Sequence, residues 1–149
     1  MNNPEVRKLK YDDFEIGQTY ETAQYLFTKA DIMAFASEYD PQYMHLDEAK
    51  AAQGRFGGII ASGMQTMAVA FKLWVQLGMY GDEVVAGTGM NNVRFIRPVY
   101  PGNRIRTKAE VIGKTDKNSD NGIVTVLLTA VNEKDERVFT AELSALIRK

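Results

Sequence analysis

The chain contains no cysteine and a single histidine among its 149 residues. Without a thiol it can build no disulfide framework, no thiolate nucleophile and no zinc–sulfur site, and the same absence agrees with a reducing cytoplasm. A lone imidazole without thiolates also argues against a transition-metal centre. Basic charge is not in excess. The formal net charge is −1, which gives neither nucleic acid nor an anionic membrane surface a reason to bind. The opening MNNPEVRKLKYDDFE lacks the apolar centre of a secretion signal, and the most apolar stretch, 59–77, is broken by Ser62, Gln65, Thr66, Lys72 and Gln76. A soluble cytoplasmic protein is expected. No internal repeat or low-complexity tract occurs. With 45% apolar and 25% charged residues, the composition suits one globular domain over 1–149, with the polar segment 1–15 expected to lie over its surface.

What is present falls into separable helix and strand signals. GQTYETAQYLF, 17–27, is rich in Thr and Tyr and mildly alternating, which predicts a strand. T-K-A-D at 28–31 matches a capping box, and Ile32, Phe35, Ala36 and Tyr39 follow at helical spacing, so a helix is expected over 29–39. Pro41 biases Asp40 out of the α region and ends it. The chain should then turn through Gln42, Tyr43 and Met44, carry His45 out of that turn, and enter a short helix over 48–53. Asp47 would cap this helix, and Gly54 would close it in a left-handed conformation. Residues 63–77 are apolar around most of their circumference, the mark of a buried helix roughly 22 Å long. Strands are expected over 88–99, 104–112, 123–131 and 138–147, with PVYPG, the polar loop 114–122 and NEKDE between them.

This order predicts an α+β fold in which a curved antiparallel sheet wraps the long helix, since one flat face would cover only one side of it. The helix side and sheet edge left bare favour a homodimer or higher homo-oligomer. Chemistry concentrates in DPQYMHLDEAKAAQGRFGGIIASG, 40–63. Here a carboxylate, the only imidazole and the free amides of a helix start can converge, because Asp40 ends one helix and Gly63 opens the next.

Within that segment, D-P-Q-Y-M-H-L-D-E followed by F-G-G-I-I-A-S-G-M resembles the MaoC-like dehydratases, the hydratase branch of the hotdog fold. F-A-S-E-Y-D before it and P-V-Y-P-G-N after the first strand that follows the long helix add to the likeness, which spans about 15–147. The resemblance implies a hotdog dimer that adds or removes water across the double bond of an acyl-CoA thioester, in fatty-acid metabolism, without a cofactor. By the family's motif the water-activating pair falls on Asp40 and His45, and the amide that holds the thioester oxygen falls on Gly63. Ser62, Gly58, Ile59 and Tyr43 are the expected substrate contacts. The motif is often D-x-N-P-x-H; here Pro41 follows the aspartate, Gln42 stands for the asparagine and Tyr43 for the proline. Ser62 replaces a histidine seen before the helix glycine, and Phe71 a small polar residue of some hydratases.

Hydration of an α,β-unsaturated thioester needs a base for water, a proton for the α carbon and polarisation of the carbonyl. An aspartate and imidazole supply the first two, and an unpaired amide at a helix N-terminus supplies the third. Plainer roles stand beside these. His45 is a structural loop histidine, Asp40 a turn residue before proline, Ser62 a helix cap, and Gly57 and Gly58 turn formers, if the motif carries no chemistry. Met44, Met64, Met67 and Trp74 read as core or tunnel wall, and Arg55, Arg94, Arg97 and Arg104 as solvated unless they meet CoA phosphates. G-T-G at 87–89 lacks the third glycine of a dinucleotide site. Three functions therefore stay open: a hydratase or dehydratase, a hotdog thioesterase, and a noncatalytic acyl-thioester-binding or dimer-partner protein.

Overall fold

The computed structural model describes residues 9–149. Two short strands, β1 (Thr19–Glu21) and β2 (Tyr25–Leu26), precede α1 (Lys29–Tyr39), α2 (Tyr43–Leu46), α3 (Glu48–Ala52) and the long α4 (Gly63–Gln76). Four long strands follow: β3 (Val84–Phe95), β4 (Arg104–Asp116), β5 (Asn121–Val131) and β6 (Arg137–Arg148). All pairings are antiparallel, in the order β1-β4-β5-β6-β3, with β2 also on β4. The meander β4-β5-β6 forms the centre of the sheet, and β3 reaches its far edge by pairing with β6.

The helices follow local chemistry closely. The Thr28 hydroxyl accepts from the Asp31 amide at 3.1 Å, and α1 stops at Asp40, as the proline after it requires. Only half of the capping box forms, because the Asp31 carboxylate instead takes a 3.3 Å hydrogen bond from the Tyr25 hydroxyl. Asp47 caps α3 by accepting from the Lys50 amide at 3.0 Å. Gly54 does not adopt the expected left-handed conformation; a Cβ there would sit tightly, 3.3 Å from the Ala51 carbonyl, and in ordinary contact, 3.5 Å, with the Tyr43 hydroxyl. The left-handed closure occurs at Gly78 after α4, at φ 80°.

α4 buries Val69, Ala70, Leu73 and Trp74 against the concave side of the sheet. From β4, the Thr107 hydroxyl donates to the Ala70 carbonyl at 3.1 Å and pins helix to sheet. Register shifts along β3, between Val84 and Ala86, Gly87 and Gly89, and Asn91 and Arg94, bend the edge round the helix. A curved sheet round one central helix is the hotdog arrangement.

Three expectations change. The strand expected over 17–27 is split into β1 and β2, because the chain breaks at Thr22, whose hydroxyl accepts from the Thr107 amide at 2.9 Å. β3 spans Val84–Phe95 rather than 88–99, and β4 runs on to Asp116, where Lys114, Thr115 and Asp116 pair with Val124, Ile123 and Gly122. The surface segment expected over 1–15 lies outside the described residues as far as residue 8; beyond that Lys10, Asp12, Asp13 and Glu15 are exposed, while Tyr11 and Phe14 are buried in the core beside Trp74 and Val126.

Candidate active site

The end of α1, the turn of α2, the extended segment before α4 and the first turn of α4 meet at one place. Asp40 terminates α1 at φ −151° and ψ 71°, so its side chain leaves the helix there. The Gln42 amide returns to the Asp40 carbonyl at 2.8 Å, and the His45 amide to the Gln42 carbonyl at 3.1 Å, which folds the motif into the single turn of α2. His45 lies inside that turn rather than beyond it. The segment before α4 is fixed on both sides: Ile60 N–H donates to the Met44 carbonyl at 3.0 Å, and Ala61 N–H to the Val99 carbonyl at 2.8 Å.

These anchors bring the acid and the imidazole together. His45 Nε2 lies 3.2 Å from Asp40 Oδ2, with side chains only 6% and 18% exposed. On the other side of the ring, Nδ1 sits 2.6 Å from the Ile60 carbonyl oxygen. A carbonyl can only accept, so Nδ1 carries hydrogen, and Nε2 is the ring nitrogen that faces Asp40 and the cavity. The two facing atoms repel when both are bare and attract across one proton, so the pair can take up and pass on a single proton. Asp40 is further held by the Ser62 hydroxyl, which donates to Oδ2 at 2.7 Å, and by the Gln42 side-chain amide, which donates to Oδ1 at 2.7 Å. Those two bonds, Ser62 foremost, keep Asp40 below the ordinary carboxylate range; partial burial opposes them and the His45 charge adds to them.

The pair opens on a cavity of about 490 Å³ that also borders Gly63, Met64, Phe95, Arg97 and Val138. Gly63 is the first residue of α4, and its N–H has no hydrogen-bond acceptor among the described residues. A Cβ at this position would come within 2.7 Å of the Phe95 ring, so only glycine fits under that ring as it stands. A larger hollow of about 640 Å³ on the outer face of the sheet is lined by residues such as Glu21, Lys108 and Glu110 and holds no imidazole. Among the described residues no group of three or more His, Cys, Asp or Glu side chains could hold a metal ion.

Residues 13–132 match the model of the MaoC-like domain, four-fifths of the chain. The chain belongs to the MaoC-like family. Its relatives include YdeM of Bacillus subtilis, an uncharacterised protein 53% identical over 141 residues, which cover 95% of this chain and 100% of YdeM. The 3-hydroxyacyl-thioester dehydratase Z of Mycobacterium tuberculosis is 34% identical over 104 residues, 68% of this chain and 69% of that protein. A solved structure of a monoamine oxidase regulatory protein from Archaeoglobus fulgidus superposes with a TM-score of 0.89 at 35% identity, with 95% of each chain covered.

In this MaoC-like site, Asp40, His45, Ser62 and Gly63 converge; the other three expected contacts do not. Gly58 and Ile59 line a separate cleft of about 370 Å³ with Tyr100 and Pro101, and Tyr43 stands 40% exposed under the Lys50 ammonium, 4.5 Å from its ring centroid. The reason is directional. Residues two apart on a helical turn point about 200° apart, so Tyr43 does not share the His45 side, and the segment before α4 reaches the cavity only from Ile60 onward, past Gly58 and Ile59. Ser62 is fully buried and turned to Asp40 rather than free for substrate. Of the four arginines singled out, only Arg97 borders the cavity, paired with Glu136 at 3.5 Å. Met44 and Met64 form cavity wall, and Trp74 is core. Phe56, Phe95 and Ile96 complete the wall. No local signal marks them, since they come from outside the 40–45 motif and are brought in by the curl of β3 and the loop after α3.

Proposed function

We propose that the protein is a hydratase or dehydratase of acyl-CoA thioesters that uses Asp40, His45 and the Gly63 amide. The observation that carries this is one carboxylate–imidazole pair and one helix-start amide without an acceptor among the described residues, on the wall of the same cavity. In the hydration direction, Asp40 removes a proton from water as the water oxygen bonds to the β carbon. The π electrons move to the thioester oxygen, to which the Gly63 N–H, with the positive end of α4 behind it, donates a hydrogen bond as charge develops there. The proton is returned to the α carbon through the Asp40–His45 pair, so one water is added and the site is restored. Dehydration runs the same steps backwards.

The name 3-hydroxyacyl-thioester dehydratase Z, carried by one relative, is consistent with this substrate class. A homodimer is part of the proposal. The solvent side of α4 carries Met64, Ala68, Phe71 and Val75 at the spacing of one apolar stripe, and the adjacent edge strand exposes Val85, Val93 and Phe95. Phe71, in place of a small polar residue, belongs to that stripe and does not border the cavity. Among the described residues no helix is long and apolar enough to cross a membrane. A cytoplasmic location, favoured by the absence of cysteine, is likewise proposed.

The direct test is the enoyl-thioester absorbance of crotonyl-to-octenoyl-CoA and branched analogues on incubation with the protein. Loss of that absorbance without free thiol identifies hydration. Release of CoA thiol would identify a thioesterase instead, and no change with any substrate would leave the noncatalytic binding protein.

A further inference from the structure

We infer that Ser62 is a positioning residue for the general base: its hydroxyl ties the Asp40 carboxylate to the same helix start that presents the Gly63 amide. The inference deepens the proposed hydration and rests on Asp40 acting as its base. Ser62 is fully buried and makes two side-chain hydrogen bonds of opposite sense. Its oxygen accepts from the Met64 amide at 3.2 Å, and its hydrogen goes to Asp40 Oδ2 at 2.7 Å. The backbone at Ser62 is fixed as well, because its carbonyl accepts from the amides of Gln65 at 3.0 Å and Thr66 at 3.1 Å. The hydroxyl therefore has little freedom to turn elsewhere.

A helix cap alone needs only an acceptor. The hydrogen is surplus to that role, and here it is spent on the oxygen that faces His45 Nε2. Two consequences follow for the chemistry. Oδ2 is kept within reach of both the imidazole and the cavity, and the carboxylate is stabilised in the ionised form a base requires. Because Ser62 and Gly63 are adjacent, base and oxyanion donor share one rigid frame, and a shift of α4 moves both together. The charged and titratable groups around Asp40 are few: His45 from α2, and Arg97 with its partner Glu136 across the cavity. Gln42 holds the second oxygen, Oδ1, which faces away from the imidazole contact.

The experiment compares wild type, Ser62→Ala and Ser62→Thr by steady-state hydration kinetics on the best enoyl-CoA, as a function of pH. Ser62→Ala should lower kcat by about tenfold or more with KM held within about twofold. It should also move the acidic limb of kcat/KM to higher pH. The sign follows from the bond: the hydroxyl favours the carboxylate, so losing it lets Asp40 protonate sooner as the pH falls. Ser62→Thr keeps acceptor and hydrogen and should restore the wild-type limb. Unchanged kcat and limb in Ser62→Ala overturn the inference. A lower melting temperature and lower kcat with an unmoved limb also overturn it, since that pattern belongs to a cap alone. Should Ser62→Ala yield no folded protein, Ser62→Cys replaces it, a side chain of similar size with a weak donor, judged by the same outcomes. Asp40→Asn separates the two levels. If it stays active the proposed base is wrong; if it is dead while Ser62→Ala is normal, only the role of Ser62 fails.

Discussion

The two ends of α4 are built from opposite materials. At its start the helix faces a cavity with a hydroxyl, an amide lacking an acceptor among the described residues, and Met64, 51% exposed. At its finish Trp74 is fully buried, edge-on to Tyr80 with ring centroids 5.3 Å apart and tilted against Tyr20 at 5.8 Å. The last amides are also closed there, Leu77 donating to the Trp74 carbonyl and Gly78 to that of Val75. One helix thus serves as an anchor at one end and as a chemical group at the other. Among the described residues polar atoms lack partners at both ends, but Trp74 Nε1 and the Tyr80 hydroxyl are walled in at the finish, whereas the Gly63 N–H faces the cavity at the start.

That division predicts that stability and turnover can be broken separately. The largest effect is expected from Trp74→Ala, which empties a fully buried indole site and should cost about 3 to 5 kcal/mol in urea unfolding. Activity per folded molecule should stay within about twofold. A mutant of unchanged stability, or a folded one with severely reduced turnover, would erase the distinction between the two ends.

At the other end, Asp40→Asn and His45→Gln should each lower hydration turnover by more than about a hundredfold while the unfolding midpoint changes little. The contrast would fail if either variant turned over like wild type. It would also fail if the loss only tracked unfolded protein, as near-ultraviolet circular dichroism would reveal.

Much of this division was legible in the sequence, for reasons that can be named. α1 could be bounded because Thr28 and Pro41 are local signals, and Asp40 and His45 could be paired because one tight turn joins them. β4 could be read from strict alternation of its side chains. β3 was legible only in part, as a strand over 88–99 rather than Val84–Phe95, since an edge strand with Gly87 and Gly89 and three register shifts shows no period of two to fix its bounds. Its end supplies Phe95, which no spacing from Asp40 foretells. Ser62 was readable as a cap, yet its bond to Asp40 spans 22 positions and exists only because the end of α1 packs beside the start of α4. Tyr43, Gly58 and Ile59 lie outside the Asp40–His45 cavity for the opposite reason: closeness along the chain says nothing about which side of a turn a residue faces.

A smaller effect sharpens the open end. In Gly63→Ala the added methyl would meet the Phe95 ring at 2.7 Å, but Phe95 is 53% exposed and can swing aside. Stability should therefore change by less than about 1 kcal/mol, while kcat/KM for hydration falls about tenfold as the methyl shields the amide and narrows the cavity. Adding Phe95→Ala should recover part of the loss by giving the methyl room. A Gly63→Ala variant with wild-type kinetics would show that close approach to this amide is not needed.

The smallest effect concerns the closed end and appears only in alkali. Burial pushes the Tyr80 hydroxyl up from 10.0 to about 12. The folded state therefore keeps its proton longer than the unfolded chain does, so this contribution to stability is complete below about pH 10 and is lost as the pH climbs toward 12. The Tyr80 hydroxyl is buried but its residue as a whole is partly exposed, so the loss should be nearer about 1 kcal/mol than the full value of a two-unit shift. Tyr80→Phe has no proton to lose, so its urea midpoint should fall less steeply over that range than wild type, with hydration kinetics at neutral pH unaltered. Parallel alkaline slopes in the two proteins would mean that water reaches the hydroxyl freely and that the aromatic end of α4 is less closed than its ring packing indicates.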